Sequence, residues 1–82
     1  MLNRQDLPIA RIRVPVKRLR TLDAARAEAL ALDILENGQT TPIRVRADGE
    51  NYVLIEGLHR LEALKSLGEE TAAAYLVHGR VR

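Results

Sequence analysis

The amino-acid sequence predicts a small α+β fold in which strands and helices alternate. The apolar residues switch between a spacing of two residues, typical of half-buried strands, and 3.6 residues, typical of helices. Glycines mark the switch points, at positions 38, 49, 57 and 68. The 82 residues suffice for one domain with a modest core, expected over residues 8–78. The expected order is strand, helix, hairpin, helix and strand.

The N-terminal part predicts a loosely held polar segment, residues 1–8, followed by a strand. Residues 9–14 alternate apolar and charged side chains, and Pro15 ends the strand because proline cannot donate to a ladder. Residues 15–20 are expected to form a connector.

The first helix is predicted over residues 22–36, with Thr21 or Asp23 as its N-cap and Gly38 as its stop. Alanine and leucine dominate this segment, and its apolar residues recur at helical spacing. The stripe consists of Ala27, Leu30, Ala31 and Ile34, with Ala24 and Leu35 beside it.

The middle of the chain predicts an antiparallel hairpin over residues 43–55. Residues 43–46 alternate apolar and charged side chains, residues 52–55 are apolar, and Asp48-Gly49 supplies a tight turn.

The last third predicts a second helix over residues 58–67 and a final strand over residues 72–77. Leu58 is placed opposite the core arc, so it is expected to be partly exposed. The basic tail, residues 79–82, is expected to be mobile. The core arc consists of Leu61, Ala63, Leu64 and Leu67.

The composition excludes several kinds of chemistry. The chain has no cysteine, which rules out disulfides, thiolate zinc sites and a cysteine nucleophile. Its apolar runs are shorter than the about 20 residues of a transmembrane helix. The N-terminus lacks the apolar region of a signal peptide, so a cytoplasmic location is expected.

A run of basic residues precedes the first helix, although the net charge is only +2. Such a run is usually a solvated strand edge and loop, which is the interpretation favoured for it. A nucleic-acid patch is the alternative, weakened by an aromatic content of 2%. The run contains Arg11, Arg13, Lys17, Arg18 and Arg20.

The strongest candidate site follows residues 52–55, where the chain passes through Gly57 into a helix. Such a junction gathers free backbone N–H groups and the positive end of a helix dipole, which together attract phosphate. His59 and Arg60 in the first turn can reach the same anion, Arg60 with a two-pronged grip. The alternative is a plain turn with two solvated side chains.

These residues carry a resemblance that covers residues 8–78. The upstream strand at Pro42-Ile43 and the motif Gly57-Leu58-His59-Arg60 make the chain similar to the ParB N-terminal domain and its sulfiredoxin and free-serine-kinase relatives. Met1 favours a standalone domain over an excised N-terminal piece.

The resemblance implies a nucleotide ligand: CTP as in the ParB proteins, ATP as in the sulfiredoxins, or ADP as in the serine kinases. In the family, the loop matching residues 57–60 holds the phosphates. The loop matching residues 38–42 borders the nucleotide, which implies roles for Gln39 and Thr41. Arg26 matches a sulfiredoxin lysine that contacts the phosphates.

Some positions depart from the family pattern. Leu58 stands where sulfiredoxins carry their catalytic cysteine, so their thiol chemistry is not available to this chain. Ala29 lacks the hydroxyl found there, and Asp33 would repel phosphate unless it acts through Mg²⁺. ParB proteins read Gly-Glu-Arg-Arg where this chain reads Gly-Leu-His-Arg, and they continue into a helix-turn-helix.

Three functions compete. The first is a nucleotide-binding module that regulates a protein partner or a homodimer. The second is a small phosphotransferase or nucleotide hydrolase, with Mg²⁺ on Asp33, Glu56 or Glu62 and charge stabilised by Arg60 and Arg26. The third is a DNA-associated partition accessory or nuclease-like protein, ranked last because no carboxylate cluster suits two-metal chemistry.

Overall fold

A mixed sheet of five strands forms the centre of the protein in a computed structural model that describes residues 3–78. The elements are β1 (Arg4–Pro8), β2 (Ile12–Arg13), α1 (Val16–Leu19), α2 (Ala24–Asn37), β3 (Ile43–Asp48), β4 (Asn51–Glu56), α3 (Leu58–Ser66) and β5 (Thr71–Leu76). The strand order is β1-β5-β3-β4-β2, with parallel pairs β2/β4 and β3/β5 and antiparallel pairs β1/β5 and β3/β4.

The α+β class and the predicted order of strand, helix, hairpin, helix and strand are confirmed, with β1 and α1 as additions. One core joins α2 and α3 to the inner side of the sheet. Its most deeply buried large side chains are Ile43, Val45, Leu54 and Leu61. Among residues 3–78, no helix has the length and apolar character needed to cross a bilayer. The basic tail predicted over residues 79–82 lies outside the described residues.

The N-terminal prediction was wrong in detail. Arg4–Pro8 is a paired strand rather than a loose segment, because buried Leu7 lies opposite Ala72 of β5. A 3-10 turn at Ile9–Arg11 then interrupts the expected strand, leaving only Ile12–Arg13. Ile9 and Ile12 are both buried and three residues apart, a spacing that suits the three residues per turn of a 3-10 helix rather than the two-residue alternation of a strand. The expected connector contains α1.

Helix α2 starts two residues later and ends one residue later than predicted, with the predicted residues Asp23 as its N-cap and Gly38 as its stop. The carboxylate of Asp23 accepts hydrogen bonds from the backbone N–H groups of Ala25 (3.0 Å) and Arg26 (3.3 Å). Gly38, at φ 75°, ends the helix and donates to the carbonyl of Ile34 at 2.7 Å. Leu35, expected beside the apolar stripe, is instead 70% exposed.

Leu58 is 5% exposed and belongs to the core, so the expectation that it faces outward was wrong. Residues three apart lie close together on one side of a helix, and Leu61, which is completely buried, therefore carries Leu58 inward with it. The core side of α3 thus begins at its first residue.

Candidate functional site

The junction between β4 and α3 has a backbone geometry that requires glycine. Gly57 has φ 109°, and a Cβ added there would lie 2.7 Å from Cγ2 of Ile43. The first backbone bond of the helix runs from the N–H of Leu61 to the carbonyl of Gly57, at 2.9 Å. The backbone N–H groups of Leu58, His59 and Arg60 come before this first bond and therefore have no acceptor within the helix. No side chain caps them. The helix start is a set of donors suited to an anion.

A cleft of about 320 Å³ opens at this helix start. It brings together five of the residues expected at the site, and Glu56, one of the expected metal ligands, also lines it. Arginine side chains approach from three elements, so the cleft is cationic. The five expected residues are Gly57, Leu58, His59, Arg60 and Arg26, and Leu58 contributes apolar wall rather than an exposed side chain.

Arg60 has a donor that the folded protein leaves without a partner. Its Nη1 is buried and has no hydrogen-bond acceptor within the described part of the chain. Neither of the ion pairs found among residues 3–78, Arg44–Glu56 and Lys65–Glu62, involves it. A buried donor without an acceptor costs about 1–3 kcal/mol, and more when it is charged. The Arg60 side chain also lines the cleft, so an anion bound there would supply the missing acceptor once the guanidinium turns toward it.

Arg18 is a further cation of the cleft that sequence reasoning assigned to a solvated basic run. Its Nη2 donates to the backbone carbonyl of Ile55 at the end of β4, which fastens α1 beside the cleft. The available signal was Pro15, because proline favours the start of a helical turn and α1 begins directly after it.

His59 connects the starts of the two long helices. The backbone N–H of Asp23 donates to its Nε2 at 3.0 Å, so this ring nitrogen acts as a hydrogen-bond acceptor. Asp23 in turn caps the amide of Arg26. His59 therefore holds the N-terminal end of α2, where Arg26 lies, against the start of α3. Its Nε2 is already occupied by this hydrogen bond and is not free for a ligand.

Replacing His59 separates this positioning role from direct anion contact. We expect His59→Ala to lower the free energy of unfolding by about 1 kcal/mol, through loss of the acceptor, and to weaken pyrophosphate binding severalfold. His59→Gln, whose amide oxygen can reach the same N–H, should retain both properties. Thermal melts and calorimetric titrations of the two variants check this. Equal loss of binding in both variants at unchanged Tm would mean that the imidazole itself contacts the anion.

Gln39 and Thr41 do not line the cationic cleft. The Gln39 side chain accepts from the N–H of Ala73 (2.7 Å) and donates to its carbonyl (2.9 Å), which continues the β3–β5 pairing beyond Ile43. Thr41 lines a second cleft of about 330 Å³ that shares Glu56, Gly57 and Arg60 with the first. Structural bonds thus occupy Gln39, and ligand roles for both residues stay predictions.

The two expected metal ligands are not brought together in this cleft. Asp33 accepts a hydrogen bond from Asn37 at 2.9 Å and lies two turns, about 10 Å, from Arg26 along α2. Glu56 lines the cleft and pairs with Arg44 at 3.3 Å. Within residues 3–78 no group of three or more histidine or acidic side chains could hold a metal ion. Mg²⁺ binding stays a prediction, with Glu56 as the one named residue at the cleft.

The chain is similar to proteins of known family and structure. The model of the ParB N-terminal domain family matches residues 2–80. Sulfiredoxin from Arabidopsis thaliana is similar, with a TM-score of 0.83 and 31% identity over 94% of this chain and 86% of that one. A search of curated proteins found no match.

Two further solved structures share the fold at lower identity. A C-terminally truncated ParB from Caulobacter crescentus, complexed with CTP-γ-S, has a TM-score of 0.82 and 23% identity over 95% of this chain. A free serine kinase in complex with AMP has a TM-score of 0.76 and 18% identity over 93% of it. The present chain spans 46% of that ParB chain and 31% of the kinase chain. The chain belongs to the ParB N-terminal domain family.

Proposed function

We propose that the cationic cleft binds the phosphate chain of a nucleoside di- or triphosphate, and that the protein is a nucleotide-binding regulatory module. The observation that carries this proposal is the buried Nη1 of Arg60, which has no acceptor among residues 3–78 and belongs to a side chain that lines the cleft. A phosphate oxygen is the acceptor best matched to a guanidinium fork.

The charge of the cleft favours a ligand with several negative charges. Arg18, Arg26 and Arg60 line it, together with the positive end of the α3 dipole. Glu56 is the one carboxylate among the residues that line it, and Arg44 already pairs with that group. A single carboxylate ligand would leave most of this charge uncompensated, whereas a diphosphate or triphosphate would use it.

The relatives support a nucleotide as the carrier of these phosphates. The ParB structure holds CTP-γ-S and the serine kinase structure holds AMP. Their identities of 23% and 18% relate folds rather than base-binding residues, so ATP, ADP and CTP all remain in the proposal.

A Mg²⁺-dependent phosphotransferase or nucleotide hydrolase is the second candidate. Glu56 favours it, because this carboxylate lines both clefts beside Arg60 and could hold a metal or a water next to a bound phosphate. Phosphate release that depends on Mg²⁺ and is lost in Glu56→Gln would establish this reaction in place of binding alone.

Calorimetric titration tests the proposal. ATP, ADP, CTP and GTP, each with and without Mg²⁺, are compared with pyrophosphate and with the free nucleosides. We expect at least one nucleotide to bind, pyrophosphate to compete with it, and the nucleosides to bind far more weakly, because the phosphates supply most of the interaction. Nucleosides binding as tightly as nucleotides, or no binding of any phosphate compound, would overturn the proposal.

A further inference from the structure

The sheet has a second face, away from the core, whose exposed side chains are largely arginines. In β3, Ile43 and Val45 are buried while the alternate residues Arg44 and Arg46 are exposed. In β2, Ile12 is buried and Arg13 is exposed. Because successive side chains of a strand point to opposite faces, these arginines lie on the face that the helices do not cover. We call it the open face: Arg4, Arg13, Arg44 and Arg46 with Tyr75 and Val53.

Strand pairing arranges these side chains in two rows across the sheet. Arg4 and Arg44 are both register partners of Tyr75, which lies between them on β5. Arg13 and Arg46 are both partners of Val53 on β4. With about 4.8 Å between strands, four spacings separate β1 from β2, and the arginines span about 19 Å.

Three carboxylates offset part of the charge of this face. Glu56 pairs with Arg44 at 3.3 Å, while Asp6 and Asp48 each lie two residues from an arginine of the same face, Arg4 and Arg46. The Nη2 of Arg4 donates to the carbonyl of Gln39 at 3.1 Å. Neither ion pair found among residues 3–78 includes Arg13 or Arg46. The Arg44 guanidinium stands 5.9 Å from the centre of the Tyr75 ring.

We propose that the open face binds single-stranded nucleic acid through its phosphates. Arginine forks match phosphate oxygens in pairs, and Tyr75 gives an aromatic surface on which a base can stack. A face about 19 Å across cannot enter a duplex major groove about 12 Å wide, whereas a single strand can lie across it. All four cations of the open face are arginines and the Tyr75 ring lies beside one of them, which favours single-stranded nucleic acid over an acidic protein segment as the ligand.

Arg13 and Arg46 line neither the cationic cleft nor the second cleft, whereas Arg44 and Tyr75 line the second cleft beside Gly57 and Arg60. A variant of Arg13 and Arg46 therefore tests this site separately from nucleotide binding. The test variant is Arg13→Gln/Arg46→Gln, which changes two exposed arginines without an ion pair in the described chain. The control is Arg20→Gln/Lys65→Gln, which removes the same amount of charge from two exposed positions outside the open face. Arg20 lies at the end of α1 and Lys65 lies on α3.

Fluorescence anisotropy with labelled oligothymidylate of about 20 nucleotides measures the binding over a salt series. We expect the wild-type affinity to fall with salt. The Arg13/Arg46 variant should bind about tenfold more weakly and lose about 1.4 from the log–log salt slope, about 0.7 for each phosphate contact. The control variant, and nucleotide titration of both variants, should match the wild type.

Several results would overturn the assignment. These are no binding of the oligonucleotide at low salt, an equal loss in the control variant, or an unchanged slope in the Arg13/Arg46 variant. Tighter binding of polyglutamate than of oligothymidylate would assign the face to an acidic protein, and tighter binding of a duplex would exclude the single strand. A thermal melt of each variant confirms that the fold is retained.

Discussion

Replacing Arg60 with alanine is expected to weaken nucleotide or pyrophosphate binding by about one to two orders of magnitude. Charge-assisted hydrogen bonds of the kind that Arg60 can make contribute about 1.5–3 kcal/mol. The Tm should not fall, because Nη1 of Arg60 has no partner among residues 3–78 in the folded chain. Calorimetric titration and a thermal melt of the same preparation measure both quantities.

The matched control is Arg46→Ala. Arg46 is an exposed arginine of β3 that does not line the cleft, so its removal changes net charge equally and should leave nucleotide affinity close to wild type. Unchanged affinity in Arg60→Ala together with a lowered Tm would make Arg60 a structural residue, and the phosphate assignment of this helix start would be wrong.

Gly57→Ala should give the largest loss of stability, about 2–4 kcal/mol in the free energy of unfolding. Two costs combine, since φ 109° disfavours any residue with a Cβ and the new Cβ would lie 2.7 Å from Cγ2 of Ile43. Ile43 is 1% exposed and cannot move aside freely. Chemical denaturation measures the loss.

Gly68→Ala is the control, because Gly68 also has a positive φ, 77°, but nothing lies within 4 Å of an added Cβ. It should lose only about 1 kcal/mol, the cost of the left-handed backbone. In an Ile43→Ala background, Gly57→Ala should cost less, because the clashing Cγ2 is gone. Equal losses for Gly57→Ala and Gly68→Ala would show that contact with Ile43 is unimportant.

The elements predicted from sequence are those whose signals are local. Asp23 caps α2 and Gly38 ends it, and the turn at Asp48-Gly49 joins β3 to β4. The helix start after Gly57 was found in the same way, because an apolar strand, a glycine and a segment of helical spacing follow one another in the sequence. Each of these depends on residues within a few positions of one another or on a glycine that marks a turn.

The features that sequence reasoning missed depend on contacts between distant parts of the chain. Strand β1 exists because Leu7 meets Ala72, and Arg18 reaches the carbonyl of Ile55 across 37 positions. The bond from Asp23 to His59 spans 36 positions. Nothing in the local pattern of these segments indicates their partners. Leu58 is a different case, because a local signal was present. Its three-residue spacing to the buried Leu61 indicates that it faces the core, and the expectation that it is exposed overlooked this spacing.

Amide chemical shifts on addition of pyrophosphate and of nucleotide test the central claim most directly. If the start of α3 binds phosphate, the largest changes will fall on the backbone amides of Leu58, His59 and Arg60 and on the Arg60 side chain, because these donors face the ligand. Changes confined to the open face around Arg13 and Arg46, or no changes at the α3 start at saturating ligand, would contradict the claim.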